Sequence, residues 1–180
     1  MLAAIILSLS WVGDEPANLH TAFLDIRRQT QAKVVKLCRD FETAVRDKDT
    51  HRATLIAYQL GDLNSTYAIP VLIRHIAFQP PASDAEAGPI RTLERFLPCA
   101  GVLAKIGPPC YPALVKLITS EHRAEYHKYA AFVFVQSIGA EMATFYLERA
   151  KGRETSRDAK ERIDSTISFV RKYKGLGSDQ

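Results

Sequence analysis

The side chains of this 180-residue chain that could do chemistry are five histidines, three cysteines and a set of charges at recurring positions. His20, His51, His75, His122 and His127 include no i, i+4 pair, the spacing that would put two imidazoles on one helix face as zinc ligands. His122 and His127 are five apart, which on a helix turns one about 140° away from the other. Cys38, Cys99 and Cys110 are odd in number and form no CxxC, so they signal neither a zinc site nor a disulfide framework. If Cys99 to Ile106 is helical, Cys99 and Cys110 stand more than about 10 Å apart, beyond the ~7 Å that a disulfide tolerates. Buried thiols behaving as small apolar side chains are expected instead. GxSxG, GxGxxG and GxxxxGK followed by Ser or Thr are missing, and Cys99 lacks a local nucleophile signature. The expectation is a non-enzymatic protein with no catalytic residue, no metal ligand set and no cofactor.

What remains for function is binding, and the candidates are Arg74, Lys116, Glu148 and Arg149. Their positions come from a phrase that occurs nearly twice, Ile69-Pro-Val-Leu-Ile-Arg-His-Ile76 and Tyr111-Pro-Ala-Leu-Val-Lys-Leu-Ile118. Four residues beyond Pro70, Pro112 and Thr144 stand Arg74, Lys116 and Glu148, the last followed by Arg149. Repeat-equivalent charges of this kind line the concave face of stacked-helix proteins. They are the expected contact with a protein partner.

The elements that must carry these residues are helices, because the apolar positions recur at intervals of three and four throughout. Leu19, Ala22, Phe23, Ile26, Val34, Leu37, Cys38, Phe41, Ala44 and Val45 mark a first helix from about Ala17 to Lys48, with a polar interruption at Arg27 to Gln31 where a bend or a change of partner is expected. Asp49 and Thr50 suit the start of a second helix, whose seam Ala53, Ile56, Ala57 and Leu60 is expected to close at Gly61. Gly107 and Gly139 are expected to close the corresponding helices of the next two units. These glycines are 46 and 32 residues apart, the longer period holding a Pro-rich loop over Gln79 to Gly88. A closing glycine can adopt a backbone that side chains disfavour, and proline in the next first turn loses no hydrogen bond. Tyr126, Tyr129, Phe132 and Phe134 are expected in the core. A last helix, about Thr155 to Tyr173, carries Ala159, Ile163, Ile167 and Val170 on one face and charge elsewhere, as a terminal cap would.

The segments Leu60-Gly-Asp-Leu-Asn-Ser-Thr-Tyr-Ala-Ile-Pro-Val-Leu72 and Leu103-Ala-Lys-Ile-Gly-Pro-Pro-Cys-Tyr-Pro-Ala-Leu114 resemble HEAT-like repeats, including the variety found in phycobilisome lyases. The resemblance covers roughly residues 50–150. It implies an all-α fold, a short right-handed α-α superhelix of stacked antiparallel helical hairpins, used as a scaffold for protein partners. One enzyme with such repeats, deoxyhypusine hydroxylase, holds di-iron through His-Glu dipeptides. This chain has none, only the reversed Glu121-His122.

Composition agrees with a single folded domain over 17–174, at 47% apolar and 24% charged residues, followed by a flexible tail at 175–180. The net charge of +4 resides in Lys151 to Lys174, where eight basic residues face four acidic ones. The acids are interleaved as i, i+4 pairs, Arg157 with Glu161 and Asp158 with Arg162, which suits a solvated helix and argues against nucleic acid as a partner. Residues 1–13 leave two readings open. Leu2 to Val12 is too short to span a bilayer, but with Ser8 and Ser10 before Asp14-Glu15 it could be the apolar region of a secretory signal; no Lys or Arg precedes it. The other reading is an apolar capping helix. A processed signal would place the protein outside the cytoplasm, a capping helix inside it.

Overall fold

The computed structural model describes residues 16–80 and 96–173, with side chains from residue 21 onward. Among these residues the protein is all-α, with seven α-helices and no strand. They are α1 Pro16–Arg46, α2 Thr50–Leu63, α3 Ile69–Arg74, α4 Pro98–Ile106, α5 Tyr111–Ser120, α6 Ala124–Arg153 and α7 Arg157–Tyr173. Single 3-10 turns, Thr66–Ala68 and Pro108–Cys110, precede α3 and α5. The leader at 1–13, most of the loop expected over Gln79 to Gly88 and the tail at 175–180 lie outside the described residues.

Helix α1 runs unbroken through Arg27 to Gln31, so the interruption in its stripe is not a bend. What changes there is burial. Val34, Cys38, Phe41 and Ala44 are buried, whereas Phe23 and Ile26 are 63% and 62% exposed. The expected core face of α1 is therefore a core face only in its second half.

Helix α2 begins as its sequence dictates, with the Asp49 side chain accepting from the Arg52 N–H at 3.1 Å. It does not end at Gly61. Gly61 is inside the helix, and the chain leaves it at Asn64, at φ 44° and ψ 43°, whose N–H donates to the Gly61 carbonyl at 3.1 Å. Gly61 serves proximity instead: a Cβ there would lie 2.9 Å from Val102 Cγ2 on α4. Gly107 and Gly139 do end helices, at φ 70°, ψ −137° and φ 77°, ψ 161°. Gly139 breaks α6 into two halves, 124–138 and 140–153.

The two copies of the phrase bury the same positions. Ala68 and Cys110, Ile69 and Tyr111, Leu72 and Leu114, and Ile76 and Ile118 are buried, while Pro70 and Pro112, and Arg74 and Lys116, are exposed. Both prolines sit in the first turn of their helix, where the missing N–H has no intrahelical acceptor. Packing follows a staggered order: α2 lies on α1 and α4, α4 on α3 and α6, α5 on α3, α6 and α7, and α6 on α7. Phe134 is fully buried, and Tyr126, Tyr129 and Phe132 are partly buried against the core. Helix α7 closes the stack with Ala159, Ile163, Thr166, Ile167 and Val170. Its Arg162 guanidinium donates to the Thr119 carbonyl of α5.

All three cysteines are buried and free. Burial pushes the Cys110 thiol up to about 12 and holds Cys99 protonated as well, so neither offers a thiolate.

Candidate functional site

The four charged residues singled out by the repeat stand on three helices, α3, α5 and α6. Arg74, at the end of α3, pairs with Glu42 of α1. Lys116 is exposed on α5. Glu148 accepts from Arg171 of α7 at 2.7 Å and lines a polar groove of about 670 Å³ between α6 and α7. In that groove Lys151 also pairs with Asp164, at 2.6 Å. Arg149, the next residue in the chain, lines a different groove on the α5 side. Neighbours on a helix point about 100° apart, and Glu148 and Arg149 accordingly line different grooves. The Glu42–Arg74 and Glu148–Arg171 pairs are largely exposed and add little to stability. Their effect is to neutralise two rungs of the expected ladder.

The groove beside Arg149 has a different character. It measures about 740 Å³ and lies between the start of α5 and the second half of α6. Pro108, Tyr111, Pro112 and Val115 supply one wall at helical spacing. Ile138, Met142, Phe145 and Tyr146 supply the other, and Arg149, Arg153 and Glu154 form one end. Tyr111 is the floor. Only 4% exposed, its ring lies 5.0 Å from that of Phe134 and 5.3 Å from that of Tyr146, and its hydroxyl is 2.7 Å from Ser137 Oγ. Phe145 and Met142 stand 59% and 57% exposed. A large apolar side chain left in water forgoes roughly 1.5–3 kcal/mol of burial, and here two do so side by side with an apolar floor between helices.

Charge at the end of the groove is unbalanced. The Glu154 carboxylate accepts from the N–H groups of Ser156 at 3.1 Å and Thr155 at 2.8 Å, and these bonds hold its carboxyl below the usual range. It is ionised but engaged with backbone. Arg149 and Arg153 are exposed and make no ion pair among the described residues. The site can thus take up apolar side chains and a carboxylate.

Met142 and Phe145 escaped the reading of the sequence because the third copy of the repeat departs from the first two. There the helix resumes straight after Gly139, with Thr144 in place of proline and no 3-10 turn. Where the first two copies bury Ala68 and Cys110, the third exposes Met142. Ala143 and Leu147, an i, i+4 pair, take the core face, which turns Phe145 about 160–200° away from both. The spacing of that pair was the available signal.

Among the described residues no three His, Cys, Asp or Glu side chains are grouped so as to hold a metal ion. One helix, α6, is long and apolar enough to cross a membrane by length and composition. It is broken at Gly139, and its Ala130, Ala131, Val133, Phe134, Ala143 and Leu147 are buried against the rest of the protein. Comparison with family models, with curated proteins and with solved structures finds no match. The class that the fold defines is an all-α protein whose helix order is compatible with a helical repeat.

Proposed function

We propose that this protein is a non-enzymatic binding scaffold, a short right-handed superhelix of HEAT-like hairpins that holds a segment of another protein in the groove between α5 and α6. The observation that carries the reading is the exposure of Phe145 and Met142 over the buried ring of Tyr111, beside two unpaired arginines. Interfaces are built this way, from adaptable Met and aromatic side chains in a concavity rimmed by charge. The stacking order supports the superhelix, because α2, α4 and α6 pack in succession while α3 packs on α5, so that like elements lie on like. Of the residues chosen from sequence, Arg149 belongs to this surface.

The test is differential capture. Wild-type protein and a Met142→Asp/Phe145→Asp variant, matched in thermal stability, are immobilised and exposed to lysate of the source cells, and the retained proteins are quantified by mass spectrometry. At least one protein should be retained on the wild type and depleted about tenfold or more on the variant, the loss expected when a central apolar anchor is removed. Identical retention on both would sink the reading.

A further inference from the structure

We infer that the occupant of this groove is an amphipathic helix of about four turns, apolar along one face and carrying carboxylates at the end that meets Arg149 and Arg153. The inference rests on the groove being the binding surface and names what fits it. Length comes from the wall: the second half of α6, residues 140–153, extends about 21 Å at 1.5 Å per residue, or about four turns. Shape comes from the anchors, since Tyr111 and Val115 on one side and Met142 and Phe145 on the other are spaced by helical turns, the spacing that receives i, i+3 or i+4, and i+7 side chains of a third helix.

Charge gives the polarity. The groove is apolar at its Pro108–Ile138 end and cationic at its Arg149–Arg153 end, where two guanidinium groups an i, i+4 step apart face the same side. The negative end of the α6 dipole favours Arg153 in the last turn, but it leaves both planar donor forks open to solvent. Arg74 is engaged by Glu42, Arg123 by Glu121, Arg157 by Glu161 and Arg171 by Glu148, whereas Arg149 and Arg153 make no ion pair among the described residues. An unmatched pair of forks beside an apolar trough is complementary to a helix bearing Asp or Glu at that end.

The same charge argument disfavours a second copy of this chain. Among the described residues, the exposed apolar helix face around Phe23 and Ile26 of α1 carries Arg27, Arg28 and Lys33 against Asp25, and Asp25 already pairs with Arg28. Bringing that face to Arg149 and Arg153 sets like charges together. A bilayer is disfavoured by shape, because the apolar floor is recessed below Phe145 and Met142.

The probe is a phage-displayed library of random 16-residue peptides panned on the intact chain, with enriched peptides resynthesised and titrated by fluorescence polarisation. Enriched sequences should place apolar residues at helical spacing and cluster Asp or Glu at one end. Binding should weaken about tenfold or more for Phe145→Asp and for Arg149→Glu/Arg153→Glu. The charge-reversed protein should regain affinity for the same peptide with its acids replaced by lysine. Circular dichroism confirms that each variant is folded. Peptides without acidic enrichment that still lose binding on Phe145→Asp would overturn the acidic-helix inference and leave the groove standing as a binding site. No enrichment, or binding indifferent to Phe145→Asp, would overturn both. Sedimentation showing self-association that Phe145→Asp abolishes, or vesicles of mixed phosphatidylcholine and phosphatidylserine that bind the wild type and not that variant, would replace the peptide by a second copy or a membrane and so overturn it too.

Discussion

Gly61 and Gly107 each follow an aliphatic residue ahead of a copy of the repeated phrase, eight residues before Ile69 and four before Tyr111, yet they serve different ends. At Gly61 the backbone is ordinary helix and the surroundings are crowded, with Val102 Cγ2 at 2.9 Å from where a Cβ would stand. At Gly107 the surroundings are open, the nearest atom to such a Cβ being Ser137 Oγ at 3.6 Å, but the backbone lies at φ 70°. One site lacks room and the other lacks a permitted conformation. Helix α2 instead ends at Asn64, where a short polar side chain tolerates the left-handed backbone. The same aliphatic-Gly pattern can thus answer to packing at one point of the chain and to stereochemistry at another.

The sharpest way to break this comparison is Gly107→Val. A β-branched residue is excluded at that φ and ψ, and the turn cannot relax without moving α4 against α5, so the loss in urea denaturation should be about 2–3 kcal/mol. An unchanged midpoint would mean that α4 does not end there. Gly61→Ala should cost less, about 1–2 kcal/mol, because overpacking against Val102 is offset by up to about 1 kcal/mol of helix propensity. Adding Val102→Ala should recover most of the loss in a double-mutant cycle, since it removes the obstructing methyl group. Absence of coupling between the two sites would contradict the crowding assigned to Gly61.

At Asn64 the expected effects are smaller still. Asn64→Ala should destabilise by about 1 kcal/mol and Asn64→Gly should be neutral or slightly stabilising, because only the alanine is penalised at positive φ. Equal effects of the two would remove Asn64 as the helix stop. The turn between α5 and α6 extends the comparison, for it uses charge where the others use backbone freedom. Glu121 accepts from the Arg123 guanidinium at 2.8 Å and from the N–H groups of Arg123 and His122, and these bonds lower its carboxyl to about 2. A depressed folded-state value stabilises above the ordinary carboxyl range near 4.5 and is lost as pH falls through about 2. Carboxyl NMR should show Glu121 titrating near 2, and Arg123→Ala should raise that midpoint; a midpoint unmoved by the substitution would remove the guanidinium as its cause.

That the described chain is all-α was legible because helical spacing of apolar residues and the Ile-Pro and Tyr-Pro phrases are local signals. Leu72 and Leu114 fell inside and Pro70 and Pro112 outside as the pattern demanded. Gly61 was misread because a glycine needed for the approach of Val102, more than 40 residues away in the chain, looks the same as one needed for a turn. Phe23 and Ile26 continue the apolar stripe of α1 in sequence, but burial depends on a neighbour, and no described helix covers them. The groove was illegible for the converse reason. Phe145 is ordinary within an apolar helix until the core claims Ala143 and Leu147 and leaves it facing out. The count along the repeat gave Arg74, Lys116 and Glu148, with Arg149 as the residue after the last; Arg149 lines the apolar groove and Glu148 the polar one, while Lys116 and Arg74 line neither.

The break at Gly139 bears on how wide the groove can stand. Ile138 lies on one side of it and Met142, Phe145 and Tyr146 on the other, so the mouth is bounded by both arms of a joint. Nothing lies within 4 Å of where a Gly139 side chain would be, so the joint has no side-chain stop of its own. Its angle is set by what each arm leans on, Tyr111 of α5 against Phe134 of the first arm and Tyr146 of the second, and α7. A helix seated across the mouth would act as a splint, and the stiffness it confers would be transmitted to α7, the element farthest along the chain from the first repeat.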